Sequence, residues 1–218
     1  VTNKKCIIRL LRYKNALHRL HALGFVKVFS DNLADAVGVT ATQVRKDFSL
    51  FGIQGHKRGG YQVDALIEKL NAIMGKNELQ KVVIVGAGNI GFALMKYKGF
   101  EKEGIKVAAC FDIDPSKYHK KEGDVPILPF ENFKEFVKNN RIKVGVIAVP
   151  DIAAQQVLDL MLSGGIKGIL NFAPIRLKAA DGCVINNVNL VLELESVVYF
   201  MINGLNKSIN EINEDEKS

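Results

Sequence analysis

The run KVVIVGAGNIG at residues 81–91, followed by KVAACFD ending at Asp112, constrains this chain more than any other feature. A short apolar run leads into three glycines spaced G-x-G-x-x-G (Gly86, Gly88, Gly91), and a helical pattern opens at Asn89, so a strand turns tightly into a helix. Glycines in that turn let the backbone approach a pyrophosphate at the helix N-terminus. The spacing alone is weak, but here Asp112 follows about twenty residues on, at the end of the next strand, where a carboxylate can bind a ribose 2′-hydroxyl. A carboxylate repels a 2′-phosphate, so the expected cofactor is NAD(H) rather than NADP(H).

The rest of the chain supports that opening. Apolar runs VVIV, KVAACF, VPIL, VGVIAV, GIL, CVIN and LVLEL alternate with helical patterns that begin near Asn89, Glu131 and Ile152. This alternation predicts an α/β domain of Rossmann type, with a doubly wound parallel sheet, over residues 81–190. A helix assigned to 191–204, with Leu194 to Ile202 as its centre, is apolar on nearly all sides and needs burial that a closed domain does not offer. A homodimer joined through that C-terminal helix is the expectation. The polar, acidic stretch 205–218 is expected to be disordered.

The first 80 residues differ in charge. They hold 13 Lys/Arg against 6 Asp/Glu, whereas residues 81–218 hold 17 of each, so the whole net charge of +7 lies in the first part. A basic unit beside a neutral one implies a polyanionic partner for the basic one. Its pattern reads as a helix over 5–23 closed by Gly24, a short helix that Ser30 can cap and Gly38 stops, and a third helix opened by a Thr40–Gln43 capping box. Helix, glycine turn and capped helix form a helix-turn-helix. On the third helix Val44, Phe48 and Phe51 form the inward stripe, and Thr42, Arg45, Lys46 and Ser49 form a second stripe able to enter a DNA major groove. Asp47 would repel phosphate there and is expected to orient Arg45 or another basic neighbour. GIQGHKRGGYQV then reads as a tight hairpin, with His56, Lys57 and Arg58 at the tip of a wing that reaches a minor groove, and Lys57, Arg58 and Gly59 are its expected DNA contacts. A helix over 63–74 completes a winged-helix domain, 1–76, and residues 77–80 serve as linker.

No run is long and apolar enough for a membrane span, and the N-terminal segment lacks a secretory pattern, so a cytoplasmic protein without membrane contact is expected. Cys6, Cys110 and Cys183 are far apart in apolar surroundings and read as reduced core thiols. The four histidines make no ligand motif, and no metal site is expected. The competing reading is a small NAD-dependent oxidoreductase with a helical appendage. It would need a proton donor near the nicotinamide, and no Y-x-x-x-K pair surrounds any tyrosine. The binding reading needs no catalytic residue and explains why a DNA reader and a dinucleotide reader share one chain.

The segments TATQVRKDFSLFG, GHKRGGYQV, VGAGNIG, YKGF, FDIDP, VPDIAAQ and GIKGILNFAPIRL, in this order, resemble the redox-sensing transcriptional repressors of the Rex family over residues 7–203. The resemblance implies a homodimer with exchanged C-terminal helices that holds a double-stranded inverted-repeat operator of the TTGTGA type and is released by NADH. It implies Arg45, Lys46 and Ser49 in the major groove and Arg58 in the minor groove. Gly86, Gly88, Asn89, Ile90 and Gly91 would hold the pyrophosphate and Asp112 the adenosine ribose. Val149, Pro150, Asn171, Phe172, Ala173 and Pro174 would line the nicotinamide end, with Tyr97 and Asn189 near it. Two positions depart from the family pattern: Asn15 and Asn189 stand where some members carry an arginine and an aspartate that link the subunits.

Overall fold

A computed structural model describes residues 4–55, 59–75, 79–118, 121–122, 124–178 and 182–215, with backbone alone at 121–122 and beyond 203. The chain divides into two units, Val1–Leu79 and Gln80–Ser218.

In the first unit, α1 (Lys4–Ala22), α2 (Ser30–Val37), α3 (Ala41–Leu50) and α4 (Val63–Ile73) enclose one core. Leu10, Tyr13 and Leu17 recur along one face of α1 and are fully buried, as are Leu33 of α2, Val44 and Phe48 of α3 and Leu70 of α4. Tyr13, Phe48 and Tyr61 stack edge to face at 5.5 and 5.2 Å, which ties α1, α3 and the following strand to one another. Gly38 adopts the left-handed conformation (φ 75°) and its N–H donates to the Ala34 carbonyl, so α2 stops and the chain turns into α3.

Three local details differ from the sequence expectation. Ser30 is the first residue of α2 rather than its cap; Phe29 precedes the helix and its N–H donates to Asn32 Oδ1. Thr40 does cap α3, its Oγ1 accepting the Gln43 N–H at 3.1 Å, but the Gln43 amide turns to Asp47 instead of back to Thr40, so only half of the capping box forms. The wing stretch is not a hairpin closed on itself among the described residues. Its strand β2 (Tyr61–Gln62) pairs antiparallel with β1 (Lys27–Val28), from before α2. Gly60 makes this possible: its φ is +64° and a Cβ there would strike the Val28 carbonyl.

The second unit is a sheet in the order β5-β6-β4-β3-β7-β8-β9. From β3 (Gln80–Val85), β4 (Ile105–Asp112) and β6 (Val125–Pro129) lie to one side, and β7 (Val144–Ile147), β8 (Gly168–Asn171) and β9 (Val184–Asn187) to the other. All six are parallel, in the doubly wound dinucleotide-binding order, and β5 (Lys121–Glu122) adds an antiparallel edge that the sequence reading missed. The helices α5 (Asn89–Met95), α6 (Gly99–Lys102), α7 (Phe133–Asn139) and α8 (Asp151–Ser163) connect the strands.

The stretch LVLEL is helical, not a strand. It opens α9 (Leu190–Asp215), because Asn189 Oδ1 accepts the N–H groups of Val191 and Leu192 and so caps the helix. The helix also runs on past residue 204, through the stretch expected to be disordered, as far as Asp215. Leu190, Leu194, Val197 and Phe200 are more than half exposed along it. Cys6, Cys110 and Cys183 are free, and burial raises each thiol, Cys110 to about 12, so none is a ready thiolate. No described helix is long and apolar enough to cross a membrane.

Candidate DNA interface and dinucleotide cleft

The second stripe of α3 faces outward. Thr42, Arg45, Lys46 and Ser49 are all exposed, and an Arg45 Nη donates to Thr42 Oγ1 at 3.2 Å, so the four polar side chains share one face. Gly59 is half buried beside β2, and His56, Lys57 and Arg58, expected at the wing tip, lie outside the described residues.

Asp47 does not orient Arg45. It points inward, fully buried, and its carboxylate meets α1: Arg9 donates from Nε at 2.6 Å and from Nη2 at 2.7 Å, in the bidentate geometry that suits a guanidinium. Tyr13 Oη at 3.0 Å, Gln43 Nε2 at 2.8 Å and Cys6 Sγ at 3.4 Å complete the set. Burial pushes this carboxyl up, but hydrogen bonds from Arg9, Gln43, Tyr13 and Cys6 outweigh it and hold the group down at about 2. The negative charge that the helix pattern put at the edge of the DNA face is thereby withdrawn and neutralised, leaving that face basic. The Arg9 partner was hidden from the sequence because nothing in the helical period of α1 names its contact on α3.

In the second unit a cleft of about 540 Å³ opens at the C-terminal end of the sheet. Gly86, Gly88, Asp112, Val149 and Pro150 line it, at the point where the strand order reverses between β3 and β7. Each glycine has a different reason to be there. A Cβ on Gly86 (φ +105°) would strike the Ala148 carbonyl, and one on Gly91 would strike the Gly86 carbonyl, whereas one on Gly88 would meet nothing within 4 Å. The first and third glycines thus permit close backbone packing, and the second leaves open space before the uncapped start of α5, a cradle that fits a pyrophosphate. Asn89 and Ile90 are exposed on the first turn of α5.

Asp112 is nearly buried at the end of β4. Its Oδ2 accepts the Ala87 N–H at 2.7 Å and the Lys117 ammonium at 3.0 Å, and its Oδ1 accepts the Asp114 N–H at 2.9 Å. Burial raises this carboxyl too, but the Asp114 and Ala87 N–H groups and Lys117 lower it below the ordinary carboxylate value. A carboxylate has roughly four acceptor positions. Three are used by described donors, and one remains for a hydroxyl.

The remaining expected residues do not line this cavity. Asn171 is fully buried and its amide holds its own turn: Nδ2 donates to the Ile175 carbonyl and to Asn187 Oδ1, both at 2.9 Å, and Oδ1 accepts the Ala173 N–H at 2.9 Å. It positions the turn instead of offering a side chain. Ala173 is buried in the core, Phe172 is half buried and Pro174 is exposed. Tyr97 is exposed, meets Phe100 edge to face at 5.1 Å and lines a separate cavity with Lys106 and Val125. Asn189 caps α9, and Asn15 is exposed on α1.

Conversely, the cleft includes residues the sequence reading did not select: Ile113, Lys117 and Phe130, with Ala153, Val157 and Leu160 of α8. The α8 residues stand at i, i+4 and i+7, a legible helix face. What the period does not say is whether that face meets core or cleft.

A winged helix joined to a Rossmann unit defines a class, the ligand-responsive DNA-binding regulators. The known proteins that the chain is similar to fall in that class. Residues 4–49 match the family model "Putative DNA-binding protein N-terminus", and residues 77–175 match the "CoA binding domain" model. The redox-sensing transcriptional repressor Rex of Pelotomaculum thermopropionicum is 40% identical over 90% of this chain and 92% of its own, and that of Bacillus subtilis is 38% identical over 88% and 89%. A solved structure of RSP with β-NAD+ and operator DNA matches with a TM-score of 0.88 at 34% identity, covering 96% of this chain and 97% of that one. RSP with β-NADH matches at 0.84 and 35% identity, over 96% and 99%. The chain belongs to the Rex family of redox-sensing transcriptional repressors.

Proposed function

We propose that this chain is a repressor that holds an inverted-repeat DNA operator as a homodimer and lets it go when NADH fills the cleft of its second unit. The observation that carries the reading is the pairing, in one chain, of a basic helix face cleared of its own carboxylate with a cleft whose Gly88 cradle and Asp112 acceptor fit a dinucleotide. Arg45, Lys46 and Ser49 would read or grip the major groove, with Thr42 holding Arg45 in place. Lys57 and Arg58 would add the minor-groove contact. Gly86, Gly88 and the start of α5 would hold the pyrophosphate, Asp112 the adenosine ribose, and Val149, Pro150 and the turn kept by Asn171 the nicotinamide end. NAD(H) would supply the redox signal as a ligand, without turnover.

The exposed apolar side chains of α9 support the dimer, since burial of several of them against a second copy removes surface that water disfavours. A regulator of this kind would work in the cytoplasm. Because Asn15 and Asn189 carry no charge, these two positions cannot form an ion pair, and NAD+ would strengthen operator binding little while NADH releases it. The test is a gel-shift titration on a TTGTGA-type palindrome with NAD+ and NADH separately. Release by NADH alone is the expected result; steady NADH turnover with a carbonyl substrate, or no release, would overturn the reading.

A further inference from the structure

At the end of the sheet opposite the dinucleotide cleft, a cavity of about 370 Å³ lies between the last turns of α7 and α8 and the residue that precedes β7. Lys134, Lys138, Arg141 and Lys143 line it, all four exposed, and no acidic side chain does. Lys134, Lys138 and Arg141 stand at i, i+4 and i+7, so one helical face continues into the turn after α7. The second unit as a whole has as many acidic as basic residues, and among the described residues none of these four forms an ion pair. The two helix ends bring their carbonyls here, about half a negative charge each. Lys143, whose Nζ donates to the Gly165 carbonyl at 3.4 Å, answers one of them. Three further cations exceed what the helix ends require.

Arg141 is the one residue other than glycine with a positive φ among the described residues, at 54°. Its N–H donates to the Lys138 carbonyl at 3.2 Å and the Ile142 N–H to the Val137 carbonyl at 3.0 Å, which closes α7. Gly24, Gly38 and Gly75 follow α1, α2 and α4 in the same conformation, with φ between 65° and 86°. A left-handed position disfavours a side chain, so glycine would suit the fold and arginine answers another need. What the arginine adds is a guanidinium beside the cavity. We propose that this cavity is a second ligand site, separate from the dinucleotide cleft, which holds a compact polyphosphate group. Lysines bind phosphate as point charges and a guanidinium binds it through paired N–H groups. Four cations around one hollow match the several charges of a short phosphate chain. A recess between two helix ends takes a compact group, whereas a DNA backbone is a continuous line of phosphates that an outward face such as that of α3 meets. Ser163, also at the cavity, already donates its hydroxyl to the Leu160 carbonyl at 2.8 Å, so recognition falls to the cations.

The experiment titrates the full chain with inorganic tripolyphosphate by calorimetry, for the wild type, Arg141→Gly and Lys138→Met. The wild type should bind it, and Arg141→Gly should lose affinity by about tenfold or more, the worth of one charge-assisted contact. That variant should melt no lower than the wild type, because glycine fits the left-handed turn. Lys138→Met should lose affinity likewise, and both variants should keep their hold on operator DNA. Citrate, whose charges sit on carboxylates, should bind the wild type at least about tenfold more weakly; equal binding would overturn the phosphate assignment. No binding of tripolyphosphate, or equal affinity in Arg141→Gly, overturns the site. So does binding that Arg45→Ala or Gly88→Ala abolishes, since it then belongs to the DNA face or to the dinucleotide cleft. Weaker operator binding in Arg141→Gly, with tripolyphosphate affinity unchanged, would assign this surface to DNA and overturn the proposal as well.

Discussion

Each unit has a buried carboxylate, and the two differ in what surrounds them. Asp47 takes five donors from side chains on α1 and α3 and is closed off from solvent. Asp112 takes two backbone N–H groups and one lysine, keeps an acceptor position, and faces a cleft. Burial opposes ionisation at both sites, and hydrogen bonds win at both. The difference lies in saturation. A carboxylate with all its acceptor positions filled by its own fold locks helices together, whereas one left a position short beside open space is set to receive a ligand.

Removing Arg9 tests the contrast most severely. Arg9→Ala leaves Asp47 buried without its cation and should cost about 3–5 kcal/mol, read by chemical denaturation followed by circular dichroism. Lys117→Met, at the cleft, should cost no more than about 1 kcal/mol. Equal losses would erase the distinction between the two carboxylates.

Acid probes the same contrast without mutation. The folded Asp47 value of about 2 lies below the ordinary 3.8, so its stabilisation is present in full above about pH 4 and is lost as the pH falls toward 2. This lowering is worth on the order of 2 kcal/mol. In Asp47→Asn the acid limb of the stability curve should flatten over that window; an unchanged limb would mean that Asp47 titrates normally.

Arg45→Ala, on the exposed face, should weaken operator binding by about 1–3 kcal/mol and leave the melting curve in place. A stability loss comparable to that of Arg9→Ala would show Arg45 to be structural. The smallest effect on stability belongs to Gly88→Ala. Its φ of −89° suits any residue and its Cβ enters open space, so the fold should change by less than about 0.5 kcal/mol while NADH affinity falls. Retained NADH affinity in that variant would remove Gly88 from the cradle.

The local chemistry of the chain was legible in its sequence wherever one residue type had one physical use. Gly86, Gly88 and Gly91 in a strand-to-helix turn, Asp112 at the next strand end, Thr40 as a cap and Gly38 as a stop all came from spacing, because φ, capping and period are properties of a few neighbouring residues. The outward stripe of Thr42, Arg45, Lys46 and Ser49 was readable for the same reason. Tertiary structure alone decided the partners: Arg9 for Asp47, Lys117 for Asp112, β1 for the strand after the wing, and Asn187 for Asn171. It also decided that LVLEL caps on Asn189 as a helix, since an apolar run that short fits a strand equally well until its neighbours are set. Period and composition say which face of an element is apolar or charged, but which element that face meets depends on packing across the chain, and no local pattern encodes it.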